Sequence, residues 1–112
     1  MNIQIFGAAK CFDTQKAERY FKERKIKYQY IDLYKYGLSK REFDSVKTVL
    51  GLKELINSNA KEYKTLNMQN LGTGSVAAEV LFNNPRLYRS PIVRNGKQST
   101  VGYQPEIWKD WE

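Results

Sequence analysis

The stretch Ile3-Gln4-Ile5-Phe6-Gly7-Ala8-Ala9-Lys10-Cys11-Phe12-Asp13-Thr14, residues 3–14, decides the fold. Residues 2–6 read as a strand, because Ile3 and Ile5 alternate with Asn2 and Gln4 at the period that puts successive side chains on opposite faces of a sheet. Residues 7–11 read as a loop of small residues. A helix is expected to begin near Asp13 or Thr14, both favourable N-caps. Ala17, Tyr20 and Phe21, at i, i+3 and i+4, mark its buried stripe. Tyr28 to Leu33 reads as a second strand. Strand, helix and strand within about 30 residues make a βαβ unit, so the two strands should be parallel with a right-handed crossover.

Downstream the pattern turns helical. Ser39 and Glu42 form a capping box, and Phe43, Val46 and Leu50 line one face. Gly51 suits a helix stop. Leu52, Leu55 and Ile56 suggest a short helix, and Tyr63 and Leu66 another. From about Ser75, the residues Val76, Val80 and Leu81 mark a further helix, ended by Asn83-Asn84-Pro85. Residues 91–94 and 99–103 then read as two strands, with Asn95-Gly96 as a hairpin turn between them. Pro105 suits the first position of a last helix with Ile107, Trp108 and Trp111 on its apolar side. The order is βαβ, helices, ββα. That is an α/β chain of thioredoxin-like order, a mixed sheet with an all-helical insert between its second and third strands. One domain is expected over 1–112, with residues 1–34 and 85–112 as the core and about 38–84 as the insert.

Composition agrees with a folded domain. The 112 residues are 41% hydrophobic and 28% charged, with no repeat or low-complexity tract. No apolar run approaches the roughly 18 residues of a membrane span, and the first six residues carry no secretory pattern. The single cysteine cannot close a disulfide within the chain, which suits a reduced, cytoplasmic protein. Absence of histidine removes Cys-His pairs, Ser-His-Asp triads and the commonest zinc ligand, so no metal site is expected. A net charge of +7 favours anionic partners, or serves solubility alone. Lys22, Arg24, Lys25 and Lys27 cluster at the end of the first helix, where cations meet the dipole favourably. No nucleic-acid motif surrounds them. A monomer is expected.

Cys11 follows a strand and a tight loop and precedes a helix. Unpaired N–H groups at a helix N-terminus stabilise a thiolate and can lower a pKa of ~8.5 to roughly 3.5–7.5. Lys10 adds positive charge, and the Thr14 hydroxyl, three residues on, could donate to the sulfur. The competing reading is a capped helix with a buried, inert thiol. Ser90-Pro91 has two readings as well, a proline at a strand edge or a cis peptide that opens backbone groups to a ligand. Arg86, Arg89 and Arg94 surround it and suit oxyanions, although Arg94 reads as a solvated basic side chain. Tyr20, Tyr28, Trp108 and Trp111 read as core or core rim.

These residues together resemble the arsenate reductase (ArsC) family, which also contains the Spx-type transcription regulators. The resemblance rests on Ile5-Phe6-Gly7 leading to Cys11, Lys16-Ala17, Ile31-Asp32-Leu33, Asn84-Pro85, Pro91-Ile92-Val93 and Val101-Gly102-Tyr103. It implies a thioredoxin-like fold with a helical insert and a cis Pro91 facing Cys11. Family reductases attack arsenate with the matching cysteine, hold the anion with arginines, and rely on an external thiol to finish the cycle. The arginines do not carry over. Ser90 stands where the family has arginine before the strand proline, and Arg89, one residue earlier, should point the other way by strand alternation. Ser58-Asn59 and Gln104 replace two further arginines. Spx-type regulators bind the C-terminal domain of the RNA polymerase α subunit, many with a Cys-x-x-Cys switch. Thr14 occupies the second position here, so an internal disulfide switch is excluded.

The first expectation is therefore a glutaredoxin-like monothiol reductase. Cys11 attacks a small oxyanion or a mixed disulfide, Lys10 and Thr14 stabilise the thiolate, and Arg89, Ser90 and Pro91 shape the groove. No bound cofactor is expected; a low-molecular-weight thiol or a thioredoxin- or glutaredoxin-type reductant resolves the intermediate. The second is a regulator that binds RNA polymerase through its α subunit. The third is a retained fold with a decayed site.

Overall fold

The computed structural model describes residues 1–111. Strands β1 (Ile3–Gly7), β2 (Tyr28–Asp32), β3 (Ile92–Asn95) and β4 (Gln98–Val101) form one sheet in the order β2-β1-β3-β4. β1 and β2 are parallel, pairing Ile3 with Tyr28 and Gly7 with Asp32. β3 is antiparallel to β1, and β4 to β3. Helix α1 (Phe12–Glu23) joins the parallel pair, and α7 (Pro105–Lys109) follows β4. Between β2 and β3 lie α2 (Leu33–Tyr36), α3 (Lys40–Leu50), α4 (Leu52–Leu55), α5 (Lys61–Thr65) and α6 (Ser75–Asn83). This is the thioredoxin-like fold with a helical insert.

The pleat sorts the core into two layers. Ile3 and Ile5 of β1 and Val93 of β3 face one side, where they pack with Ala17, Tyr20, Phe21 and Trp108. Phe6, Ile92 and Val101 face the other, against Leu33, Phe43, Val46, Leu55 and Leu81 of the insert. Cross-strand register keeps each set together: Ile5 sits opposite Val93, and Phe6 opposite Ile92. The Trp108 indole donates to Thr100 Oγ1 at 2.8 Å, which satisfies its one buried polar group.

Local signals place most boundaries. The Ser39–Glu42 capping box is present in both directions, and Gly51 ends α3 with φ +84°. Several expectations shift. β2 stops at Asp32 because its carboxylate accepts the Lys35 N–H at 3.2 Å and caps α2, so Leu33 is helical. Asn95 is the last β3 residue, paired with Gln98; the turn proper is Gly96-Lys97, with Gly96 at φ +60°. Ile56 lies beyond α4 and bridges Tyr88, and Leu66 caps α5 from outside it. Val76 and Ile107 are exposed. α6 buries Ala77 and Leu81 instead, and α7, a single turn and a half, is oriented by the larger Trp108. Arg94 is not solvated: its side chain is 14% exposed, and its guanidinium donates to Gln4 Oε1 at 2.7 Å and lies 3.9 Å from Glu42. Among the described residues no helix is long and apolar enough to cross a membrane.

Candidate active site

β1 ends at Gly7, and the chain turns at once, with the Cys11 N–H donating to Ala8 O at 3.1 Å. Cys11 is itself the N-cap of α1, extended at φ −92° and ψ 116°. Asp13 and Thr14, read as caps, lie instead inside the first turn. Thr14 cannot cap because it is buried and its Oγ1 already accepts the Ala8 N–H at 3.2 Å. Sulfur thus occupies the place where a serine or aspartate oxygen normally receives the N–H groups of the first turn.

The sequence makes room for this. A Cβ on Gly7 would lie 2.4 Å from Thr14 Cγ2 and 2.8 Å from Thr14 Oγ1. Glycine at the strand end therefore lets Thr14 pack against the loop. A hydroxyl has one proton and two acceptor sites. With Ala8 N–H on an acceptor site, the Thr14 proton is free to turn to sulfur.

Two sets of partners compete for Cys11. The thiol form donates from Sγ to Ser90 O at 3.6 Å. Burial also favours this neutral form and by itself pushes the thiol up. The thiolate form is favoured by the Ser90 and Thr14 hydroxyls and the amides of Thr14 and Asp13. These four donors together outweigh burial and hold Cys11 below the ordinary thiol value.

The sulfur is half-buried and opens on a cavity of about 390 Å³. Lys10, Cys11 and Asp13 line it from the α1 side. Tyr34, Asn57 and Arg89 line it from the insert side, and Ser90 and Gly102 lie between. The Ser90-Pro91 peptide is cis. Pro91 is buried, and its carbonyl accepts the Gly102 N–H at 2.8 Å. Arg89 reaches the cavity against the expectation from strand alternation. It precedes β3, and its N–H donates to Leu55 O at 2.8 Å, so the insert and not the sheet sets its direction. Its guanidinium is 3.4 Å from Glu54 Oε2, with both side chains largely exposed. Arg86 is exposed, and the Gln104 amide donates to Val101 O at 3.1 Å.

Sequence reasoning missed Tyr34, Asn57 and Gly102. Tyr34 and Asn57 carry no local signal, since only the packing of the insert brings them within reach of Cys11. Among the described residues no group of three or more Cys, Asp or Glu side chains could hold a metal ion.

The sequence model of the ArsC family matches residues 6–111. The chain is 33% identical over 110 residues to the global transcriptional regulator Spx 2 of Oceanobacillus iheyensis, covering 95% of this chain and 80% of that one. In structure it is similar to an ArsC family related protein from Bacteroides fragilis (TM-score 0.86, 23% identity, all of both chains). It is also similar to an arsenate reductase from Vibrio cholerae (TM-score 0.84, 23% identity, 98% of this chain and 97% of that one).

Proposed function

The chain belongs to the ArsC family, and from that footing we propose that it is a monothiol reductase whose nucleophile is the Cys11 thiolate. The observation that carries this reading is a half-buried sulfur at the N-cap of α1 that opens on a cavity, where the Ser90 and Thr14 side chains and the first-turn amides hold it below the ordinary thiol value. Such a thiolate attacks one sulfur of a mixed disulfide. The new bond joins Cys11 Sγ to that sulfur, and the electron pair of the old S–S bond leaves with the other as a thiolate. With no second cysteine, an external thiol must attack the Cys11 disulfide, release Cys11 as thiolate and supply the reducing electrons. Arsenate would find Lys10 and Arg89 as cations here, with Arg89 shared by Glu54 and Asp13 opposing an anion, and none of the three family arginines.

The test is the pH dependence of Cys11 alkylation. The rate should level off above a midpoint well below the ~8.5 of a free thiol. A midpoint at or above that value, or no reaction in the folded protein, overturns the proposal.

The 33% identity to a transcriptional regulator favours a second reading, a non-enzymatic regulator that binds the C-terminal domain of the RNA polymerase α subunit. If that purified domain is retained equally by wild type and Cys11→Ser, and Cys11 is unreactive, the second reading is selected.

A further inference from the structure

We infer that the substrate of Cys11 is a cysteine in a polypeptide, held as a mixed disulfide, with an apolar neighbour that lands on Phe12 and an acidic one that meets Lys16. This rests on the Cys11 thiolate proposed above and names what is presented to it.

Phe12 is 77% exposed, more than any other large apolar side chain among the described residues. It follows the nucleophile directly and belongs to neither apolar layer. The first position of a helix does not call for an aromatic ring, and folding gains little from a ring left in water. A partner that covers it would gain. Lys16 lies one turn along the same face of α1, at i+4 from Phe12. Its Nζ is 5.7 Å from the ring centre of Tyr103, which is 39% exposed and follows the cavity residue Gly102. Phe12 and Lys16 therefore share a face of α1 that starts beside Cys11, and Lys16 joins it to Tyr103, giving an apolar–cationic strip that leads away from the residue next to the sulfur. Arg19 and Arg24 extend it into a concavity of about 170 Å³, where Glu23 is the one acidic group.

Charge chooses the occupant. The chain carries +7, and Lys16 and Arg19 are exposed, so an acidic segment is attracted and a basic one repelled. A small oxyanion has nothing to place on Phe12, and inside the cavity it would meet Lys10 and Arg89 but also Asp13 and the Glu54 carboxylate beside Arg89. A peptide uses the whole strip. In the reaction Cys11 Sγ bonds to the peptide cysteine, the peptide's former disulfide breaks, and the departing thiolate carries the electron pair.

Mixed disulfides of 5-thio-2-nitrobenzoate test this, because the released thiolate is coloured and its low pKa makes it the leaving group. Three are compared under pseudo-first-order conditions: a peptide Glu-Cys-Leu type, its Lys-Cys-Gly counterpart, and 2-mercaptoethanol. Wild type should react with the acidic, apolar peptide roughly tenfold or more faster than with the other peptide, each rate taken relative to the same exchange with free cysteine. Phe12→Ser should lower the ratio of peptide to mercaptoethanol rates about tenfold, and Lys16→Glu should reverse the charge preference. Equal ratios for both peptides, unmoved by either substitution, overturn the inference while leaving the thiolate intact. Failure of all three disulfides to react overturns the thiolate reading and the inference with it.

Discussion

The two sides of the sheet differ in how they are built. On the α1 side a continuous helix of 12 residues and a short α7 bury Tyr20, Phe21 and Trp108 against Ile3, Ile5 and Val93. Three aromatic rings there meet at centroid separations of 5.0–5.3 Å. On the other side five helices of 4 to 11 residues share one apolar cluster, and many of their apolar residues are only partly buried. The first layer is a few large side chains on two helices. The second is many contacts spread over short pieces, none long enough to be stable as a helix in isolation. The site lies where the layers meet. The α1 side supplies Lys10, Cys11 and Asp13, and the insert supplies Tyr34, Asn57 and Arg89.

If the α1 layer depends on few large contacts, Trp108→Ala should be the most damaging single truncation. It opens a cavity, and it leaves Thr100 Oγ1 without its donor. The expected loss is about 3–5 kcal/mol, against about 2–4 kcal/mol for Leu81→Ala in the insert. Urea unfolding followed by circular dichroism measures both. A larger loss for Leu81→Ala would break the contrast.

Gly7→Ala sharpens it from the other direction, because it acts where β1 meets α1 and leaves the insert alone. The added methyl must displace Thr14, costing roughly 1–3 kcal/mol. Displacing Thr14 also removes a hydroxyl donor and disturbs an amide donor to sulfur, so the alkylation midpoint of Cys11 should rise. Unchanged stability together with an unchanged midpoint would show that Thr14 does not hold the sulfur.

The smallest effect concerns Cys11 itself. Its folded-state pKa is depressed, so the stabilisation is fully present above the unfolded-state pKa and is lost as pH falls through the folded-state value. The stability of wild type relative to Cys11→Ser should therefore climb with pH across that window and level off near ~8.5. A difference that stays flat, or declines toward alkaline pH, would mean that the Ser90 carbonyl outweighs the four donors.

Much of the α1 side was legible in the sequence. Alternation at Ile3 and Ile5, the Ala17-Tyr20-Phe21 stripe and the strand from Tyr28, read one residue too far to Leu33, are local patterns, and each element follows from its own residues. The hairpin and the Ser39 capping box were legible for the same reason, since their bonds close within a few residues. The exposure of Val76 and Ile107 was not. In short helices the apolar stripe is ambiguous, and the partner that packs first selects the face.

By itself the sequence determined the order of elements, the family and the position of Cys11 at the start of a helix. Those depend on contacts between near neighbours and on motifs read in line. Only the tertiary structure decided that Cys11 is the cap, that Thr14 is buried with its hydroxyl accepting the Ala8 N–H, and that Arg94 is held by Gln4 and Glu42. Only it turned Arg89 into the cavity with Tyr34 and Asn57. Each of these outcomes is a choice among orientations equally open to the local chain. Packing between segments tens of residues apart selects one, because burial and hydrogen bonding there outweigh the small local preferences.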